Sequence, residues 1–153
     1  MVKYVLYDSS DGVITEKLID IRLRTLREVF GHADGYRFSD DIIETTGDYF
    51  LHGDHTTALA IEGENIVACA SCCYVRYMPT LDHPTGIRGH IMGVYTLPEY
   101  RRQGIAKKLM EMLIEKAKEV GATELSLDAT EDGARLYGQL GFKTNHECMN
   151  LII

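Results

Sequence analysis

The chain has 153 residues, 23 acidic and 16 basic, for a formal net charge of -7, which suits one domain over 1–153 with a sizeable core. That balance speaks against a nucleic-acid partner, which selects a basic surface. No apolar run approaches the ~18 residues of a membrane span, and Met1–Asp8 lacks the apolar core and cleavage site of a signal peptide; a cytoplasmic protein with no membrane partner is expected.

Lys3–Tyr7 reads as a first strand, and Ser9-Ser10-Asp11 supplies helix-start chemistry. Ile19, Leu23, Leu26 and Phe30 recur at helical spacing and predict an amphipathic helix ending near Gly31. Ser39 is the expected N-cap of a short helix with Ile42, Ile43, Thr46 and Phe50 on one face and Asp40 and Asp41 in its first turn. Thr56–Ile61 and Ile66–Met78 read as a hairpin about Glu62-Gly63-Glu64-Asn65. Pro79 and Pro84 then interrupt pairing until a strand resumes at Arg88–Thr96. The next helix carries an apolar stripe of Ala106, Leu109, Met110, Leu113, Ala117 and Val120, and Gly121 ends it. Glu124–Asp128 is a fifth strand, Thr130 caps a helix through Leu140, and Gly141 stops it. Phe142–Ile153 is expected to supply one or two last strands. This order predicts an α+β domain, a mixed twisted sheet with helices on both faces.

Cys69, Cys72, Cys73 and Cys148 are expected to be buried thiols. Cys69 and Cys72 lie three apart in a strand and so point to opposite faces, which argues against a shared metal. His52-Gly53-Asp54-His55 offers half a zinc site with no second pair of ligands, so no metal is expected.

Val94-Tyr95-Thr96-Leu97-Pro98-Glu99-Tyr100-Arg101-Arg102-Gln103-Gly104-Ile105-Ala106 reads as strand, turn and helix start. A helix N-terminus leaves about four backbone N–H groups without intrahelical partners and carries roughly half a positive charge, so it binds phosphate. Gly104 and small Ala106 permit close approach, while Arg101, Arg102, Lys107 and Lys108 supply charge. Rival phosphate loops fail on spacing: no glycine lies five residues before Gly104, and no Gly-x-Gly-x-x-Gly occurs.

The spacing Arg101-x-x-Gly104-x-Ala106 resembles the Arg/Gln-x-x-Gly-x-Gly/Ala signature of the GNAT family of N-acetyltransferases, and Leu127–Phe142, with Leu136-Tyr137 ahead of Gly141-Phe142, is similar to that family's second motif. The resemblance implies acetyl-CoA as cosubstrate, with its pyrophosphate on Arg101, Arg102, Gln103, Gly104, Ile105 and Ala106. It implies a pantetheine arm paired like an extra strand with the backbone of Val94, Tyr95 and Thr96. A contact at Thr130 is also implied, where many relatives carry Asn; Gly133 stands where they often have Ala. The implied fold has a central parallel strand pair that splays apart to admit the cofactor.

Transfer of an acetyl group to an amine needs a neutral amine, support for the developing oxyanion and a proton for the departing thiolate. An alkylammonium with a pKa near ~10.4 costs about 4.6 kcal/mol to deprotonate at pH 7. The resemblance places Tyr137 where many members hold the general acid; its phenol, near ~10, stays protonated. Packing beside Leu136 and Leu140 is the other use of that ring. Counted back from Arg101, His90 sits where certain members carry a general base, and strand alternation puts it on one face with Met92, Val94 and Thr96. A histidine merely satisfied at a strand end is the alternative.

Asp40, Asp41, Glu44 and Asp48 would welcome a cationic amine if their helix borders the acceptor cleft, with Tyr36, Phe38, Tyr49 and Phe50 as its walls. The expected activity is transfer to a primary amine of a small molecule, cationic or antibiotic-like, by direct attack in a ternary complex. A protein or peptide amine as acceptor, and a catalytically silent acyl-CoA sensor, remain alternatives. Monomer and homodimer are both open.

Overall fold

Near-continuous runs of small and apolar residues on either side of Gly63 form the central hairpin, β2 (His55–Glu62) and β3 (Asn65–Arg76), whose interiors are buried on both faces. A strand so covered needs helices above and below it. The computed structural model describes residues 1–153 and supplies them. A five-stranded sheet runs in the order β1 (Lys3–Leu6), β2, β3, β4 (Ile87–Thr96), β5 (Glu124–Leu127); the first four are antiparallel neighbours, and β4 and β5 are parallel. Helices α1 (Gly12–Val29) and α2 (Asp40–His52) cover one face; α3 (Ile105–Val120) and α4 (Glu131–Gln139) cover the other.

Period-two alternation divides the core accordingly. Ala58, Ala60, Ala68, Ala70 and Cys72 face α3, whose Leu109, Met110 and Leu113 are fully buried against them. Each of those three side chains contributes about 1.5–3 kcal/mol. Leu59, Cys69 and Tyr95 face the other way, onto Leu18 and Ile21 of α1 and Phe50 of α2. Cys69 and Cys72 thus do lie on opposite faces.

Local chemistry starts and stops the helices as anticipated. Asp11 accepts the Ile14 N–H at 3.0 Å, Thr130 accepts that of Gly133 at 3.3 Å, and Gly121 closes α3 in the left-handed region. Ser39 caps α2 by position, with no hydroxyl hydrogen bond.

Four expectations are corrected. Of the expected apolar face of α1, Leu23 is buried, Ile19 and Leu26 are partly buried and Phe30 is exposed; Thr15, Leu18, Ile21 and Thr25 complete the buried set, because the helix lies on the sheet by its middle turns and not its last one. Ala106 is only partly buried and Val120 is exposed; Ile105 takes the inward position at the start of α3. Cys73 is half-buried and Cys148 exposed. Residues 143–153 form no strand: Asn145 Oδ1 accepts the Glu147 N–H at 2.9 Å, a side-chain turn that diverts the chain from extended geometry, and no sheet edge pairs with it.

Candidate active site

At the start of α3 the chain turns through Arg102 (φ 64°) and Gly104 (φ 77°), both left-handed. The first amides of the helix therefore open onto a space in which a Cβ on Gly104 would meet nothing within 4 Å. That leaves room beside the helix amides for a group larger than a methyl. Arg102, Lys107 and Lys108 are exposed and make no ion pair. Arg101 is turned away: its Nη2 donates to Glu28 Oε1 at 2.6 Å and its Nε to the Thr96 carbonyl at 2.9 Å, while the Tyr95 hydroxyl donates to Glu28 Oε2 at 2.7 Å. These bonds hold the Glu28 carboxyl below its ordinary range. Arg101 thereby fastens the loop to α1 instead of lying free for phosphate. Gln103 donates to the Glu99 carbonyl at 3.2 Å.

β4 leaves β5 before the loop is reached. The parallel ladder runs from Arg88–Glu124 to Ile91–Leu127 and stops, so Met92–Thr96 has a strand on one side only. An unpaired edge of that kind accepts an extended ligand as a further strand. Within it, Ser71 pairs with Met92 and Cys69 with Tyr95, so Gly93 and Val94 together oppose Ala70. This is a β-bulge, made possible by Gly93 at φ 64°. It corrects the alternation read for His90: Met92 shares its face, whereas Val94 and Thr96 have passed to the α3 side with Ala68.

A cavity of about 170 Å³ lies at the bulge, between the sheet and helices α1 and α2. Leu18, Phe50 and Met92 give it apolar walls; Arg22, Thr45, Thr46, Tyr49, Thr57 and Ser71 give it polar ones. From it runs a chain of hydrogen bonds: Tyr49 hydroxyl to Ser71 Oγ at 2.8 Å, Ser71 Oγ to Thr57 Oγ1 at 2.8 Å, Thr57 Oγ1 to His55 Nδ1 at 2.9 Å, and His55 Nε2 to the Phe50 carbonyl at 3.2 Å. A carbonyl only accepts, so Nε2 carries the proton and Nδ1 accepts from Thr57. Thr57 in turn accepts from Ser71, and Ser71 from Tyr49. The remaining lone pair of the Tyr49 oxygen is left to the cavity. Burial holds the His55 imidazole below its ordinary 6.5 and pushes the Tyr49 phenol up to about 12.

Asp40, Asp41, Glu44 and Asp48, expected beside the acceptor, are exposed and line none of this cavity. Tyr49 and Phe50 do line it, whereas Tyr36 stacks on His32 at 3.8 Å and meets Phe38 edge-on.

The model of the Acetyltransferase (GNAT) family matches residues 15–142. The chain belongs to this family. A crystal structure, with acetyl-CoA, of a protein described as a predicted acetyltransferase from Clostridium acetobutylicum is 26% identical with a TM-score of 0.84, over 99% of this chain and 96% of that one. An aminoglycoside acetyltransferase from an uncultured soil metagenomic sample, in complex with trehalose, shares the fold at 16% identity and a TM-score of 0.76, over 99% and 95% of the two chains. A glucosamine 6-phosphate N-acetyltransferase of Trypanosoma brucei brucei is 35% identical over 63 residues, which span 41% of this chain and 43% of that relative.

Within this GNAT domain, Tyr137 packs against the α3-side core and meets Phe142 edge-on at 6.1 Å. Burial raises its pKa, and its hydroxyl has no hydrogen-bond partner in the protein. Gly133 makes room for the ring, since a Cβ there would lie 2.7 Å from Tyr137 Cε2. Thr130 Oγ1 is occupied in capping α4. His90 donates or accepts at Ser126 Oγ, 2.8 Å from Nδ1, with Asp128 Oδ2 3.7 Å from Nε2; it does not line the cavity. Sequence reasoning missed Arg22, Ser71 and Thr57, and weighed His55 only as part of half a zinc site. For Arg22 the available signal was a polar residue one helical turn after the buried Leu18.

Proposed function

We propose that the protein transfers the acetyl group of acetyl-CoA to a primary amine of a small molecule by direct attack in a ternary complex. The observation carrying this reading is the succession of three features along the chain: helix amides open to space at Gly104, a one-sided strand at Met92–Thr96, and a partly open cavity with polar groups in its wall at the Gly93 bulge. Acetyl-CoA supplies the activated thioester. The helix start, with Arg102, Gln103, Ile105 and Ala106 around Gly104, holds its diphosphate, and the backbone of Val94, Tyr95 and Thr96 pairs with its arm. Tyr137, protonated and without a partner in the protein, donates to the thiolate as the carbon–sulfur bond breaks and the carbon–nitrogen bond forms. Relatives' names point to an aminosugar phosphate and to aminoglycosides, which share an amine on a polyhydroxylated ring and differ in charge.

His90 is the base proposed from its place on β4. The cavity favours a second reading, because the Tyr49 oxygen accepts a proton from the amine while each hydroxyl passes one on, and His55 Nδ1 receives the last. The two readings separate by pH. His55→Asn keeps an acceptor for Thr57 and cannot take up a proton, so kcat/KM should fall about a hundredfold and lose its acid limb. His90→Ala should keep that limb. The reverse pattern assigns the base to His90. A neutral His55 also links to folding: its folded pKa lies below the ordinary 6.5, so the unfolded chain binds more protons between the two values. Stability is full above pH 6.5 and declines as pH falls through that window; His55→Asn should flatten this part of a plot of Tm against pH.

Thiol release from acetyl-CoA across a panel of amines tests the activity. Release with any small amine supports it; tight acetyl-CoA binding with no release for any amine would leave a binding module in its place.

A further inference from the structure

Arg22 projects from α1 into the cavity, where its Nη1 is 3.6 Å from the position a Cβ on Gly93 would take. It is half-buried, yet it makes no ion pair, hydrogen bond or stacking contact with an aromatic ring, unlike Arg27, Arg88 and Arg101. Arginines 24, 37, 76, 102 and 135 also lack partners, but those are exposed to water. The groups facing Arg22 are neutral. Cys69 is buried and its thiol is pushed up to about 12, Tyr49 likewise, and Thr45, Thr46 and Ser71 carry no charge. Glu28, farther along α1, is committed to Tyr95 and Arg101. The cavity therefore holds one positive charge with no counter-charge.

A half-buried guanidinium without a carboxylate loses solvation that no charge in the protein replaces, and desolvation accordingly lowers its pKa. A planar guanidinium matches a carboxylate through two parallel hydrogen bonds. Once the amine is neutral for attack, a phosphate, with about 1.5 to 2 negative charges at pH 7, would leave the site overcharged, whereas a carboxylate balances Arg22. Resting on the acetyltransferase reading above, we infer that the acceptor is a small amine that also carries a carboxylate, bound by Arg22 beside the Gly93 bulge while its amino group faces the Tyr49 oxygen. On this inference the acceptor is a zwitterion and not the cation anticipated from the acidic residues of α2.

The test is thiol release with the common L-amino acids and β-alanine, each paired with its carboxamide, alongside polyamines and amino sugars with and without phosphate. Amide formation lowers the basicity of the amine and by itself favours the carboxamide as nucleophile, so a preference for the acid must come from the protein. At least one acid should exceed its amide about tenfold or more in kcat/KM. Arg22→Gln should raise KM for that acid about ten- to a hundredfold, leave the amide nearly unchanged, and leave calorimetric acetyl-CoA affinity intact; Arg22→Lys should recover part of the loss. Polyamines, amino sugars or carboxamides outperforming every acid in the wild type would overturn the inference, as would Arg22→Gln weakening acid and amide alike. Those results leave acetyl transfer standing, whereas absence of thiol release with every amine defeats the transfer reading itself.

Discussion

Gly104→Val is expected to lower CoA affinity about a hundredfold or more. The side chain enters the space at the start of α3 that is open to a Cβ and, on our proposal, to the diphosphate. Losing two charge-assisted hydrogen bonds from the helix amides, at about 1.5–3 kcal/mol each, accounts for that magnitude. Gly104 also sits at φ 77°, so a branched residue adds about 1–2 kcal/mol of backbone strain and some loss of Tm. Gly121→Val is the control, because Gly121 stands at the far end of the same helix in the same left-handed region, φ 92°. It should lose comparable Tm and keep its affinity for CoA. Isothermal titration of both variants decides the matter: unchanged affinity in a folded Gly104→Val protein would remove the diphosphate from this loop.

Tyr137→Phe should reduce kcat by about ten- to a thousandfold while CoA affinity and folding stay close to wild type. The hydroxyl bonds to nothing in the protein, so its removal breaks no internal contact, and the ring keeps its packing against Phe142. Gly133→Ala probes the same group from behind. Alanine favours the helix by up to about 1 kcal/mol, but its Cβ would lie 2.7 Å from Tyr137 Cε2 and must displace the ring. The expected outcome is an undiminished Tm with a lowered kcat. Wild-type turnover in Tyr137→Phe, with an acceptor for which chemistry limits the rate, would end the proposal that this phenol protonates the thiolate.

The order of elements through α4 and the strand, turn and helix start around Gly104 were legible in the sequence because local rules set them. Caps at Asp11 and Thr130, left-handed glycines at Gly104 and Gly121, and two-sided apolar runs about Gly63 each act within a few residues of themselves. What lies across the fold was not legible. Arg101 looks free beside Arg102 until packing brings Glu28, 73 positions away, to its guanidinium. A single bulge at Gly93 moves Val94 and Thr96 to the other face of the sheet, and no pattern with a period of two reports the slip. Phe142–Ile153 has β-prone residues, but a strand exists only where a partner edge receives it. The lone positive charge of the cavity is the clearest case: Arg22 in sequence is one more basic residue on a helix, and only tertiary packing decides that its neighbours are neutral and that its counter-charge must come from elsewhere.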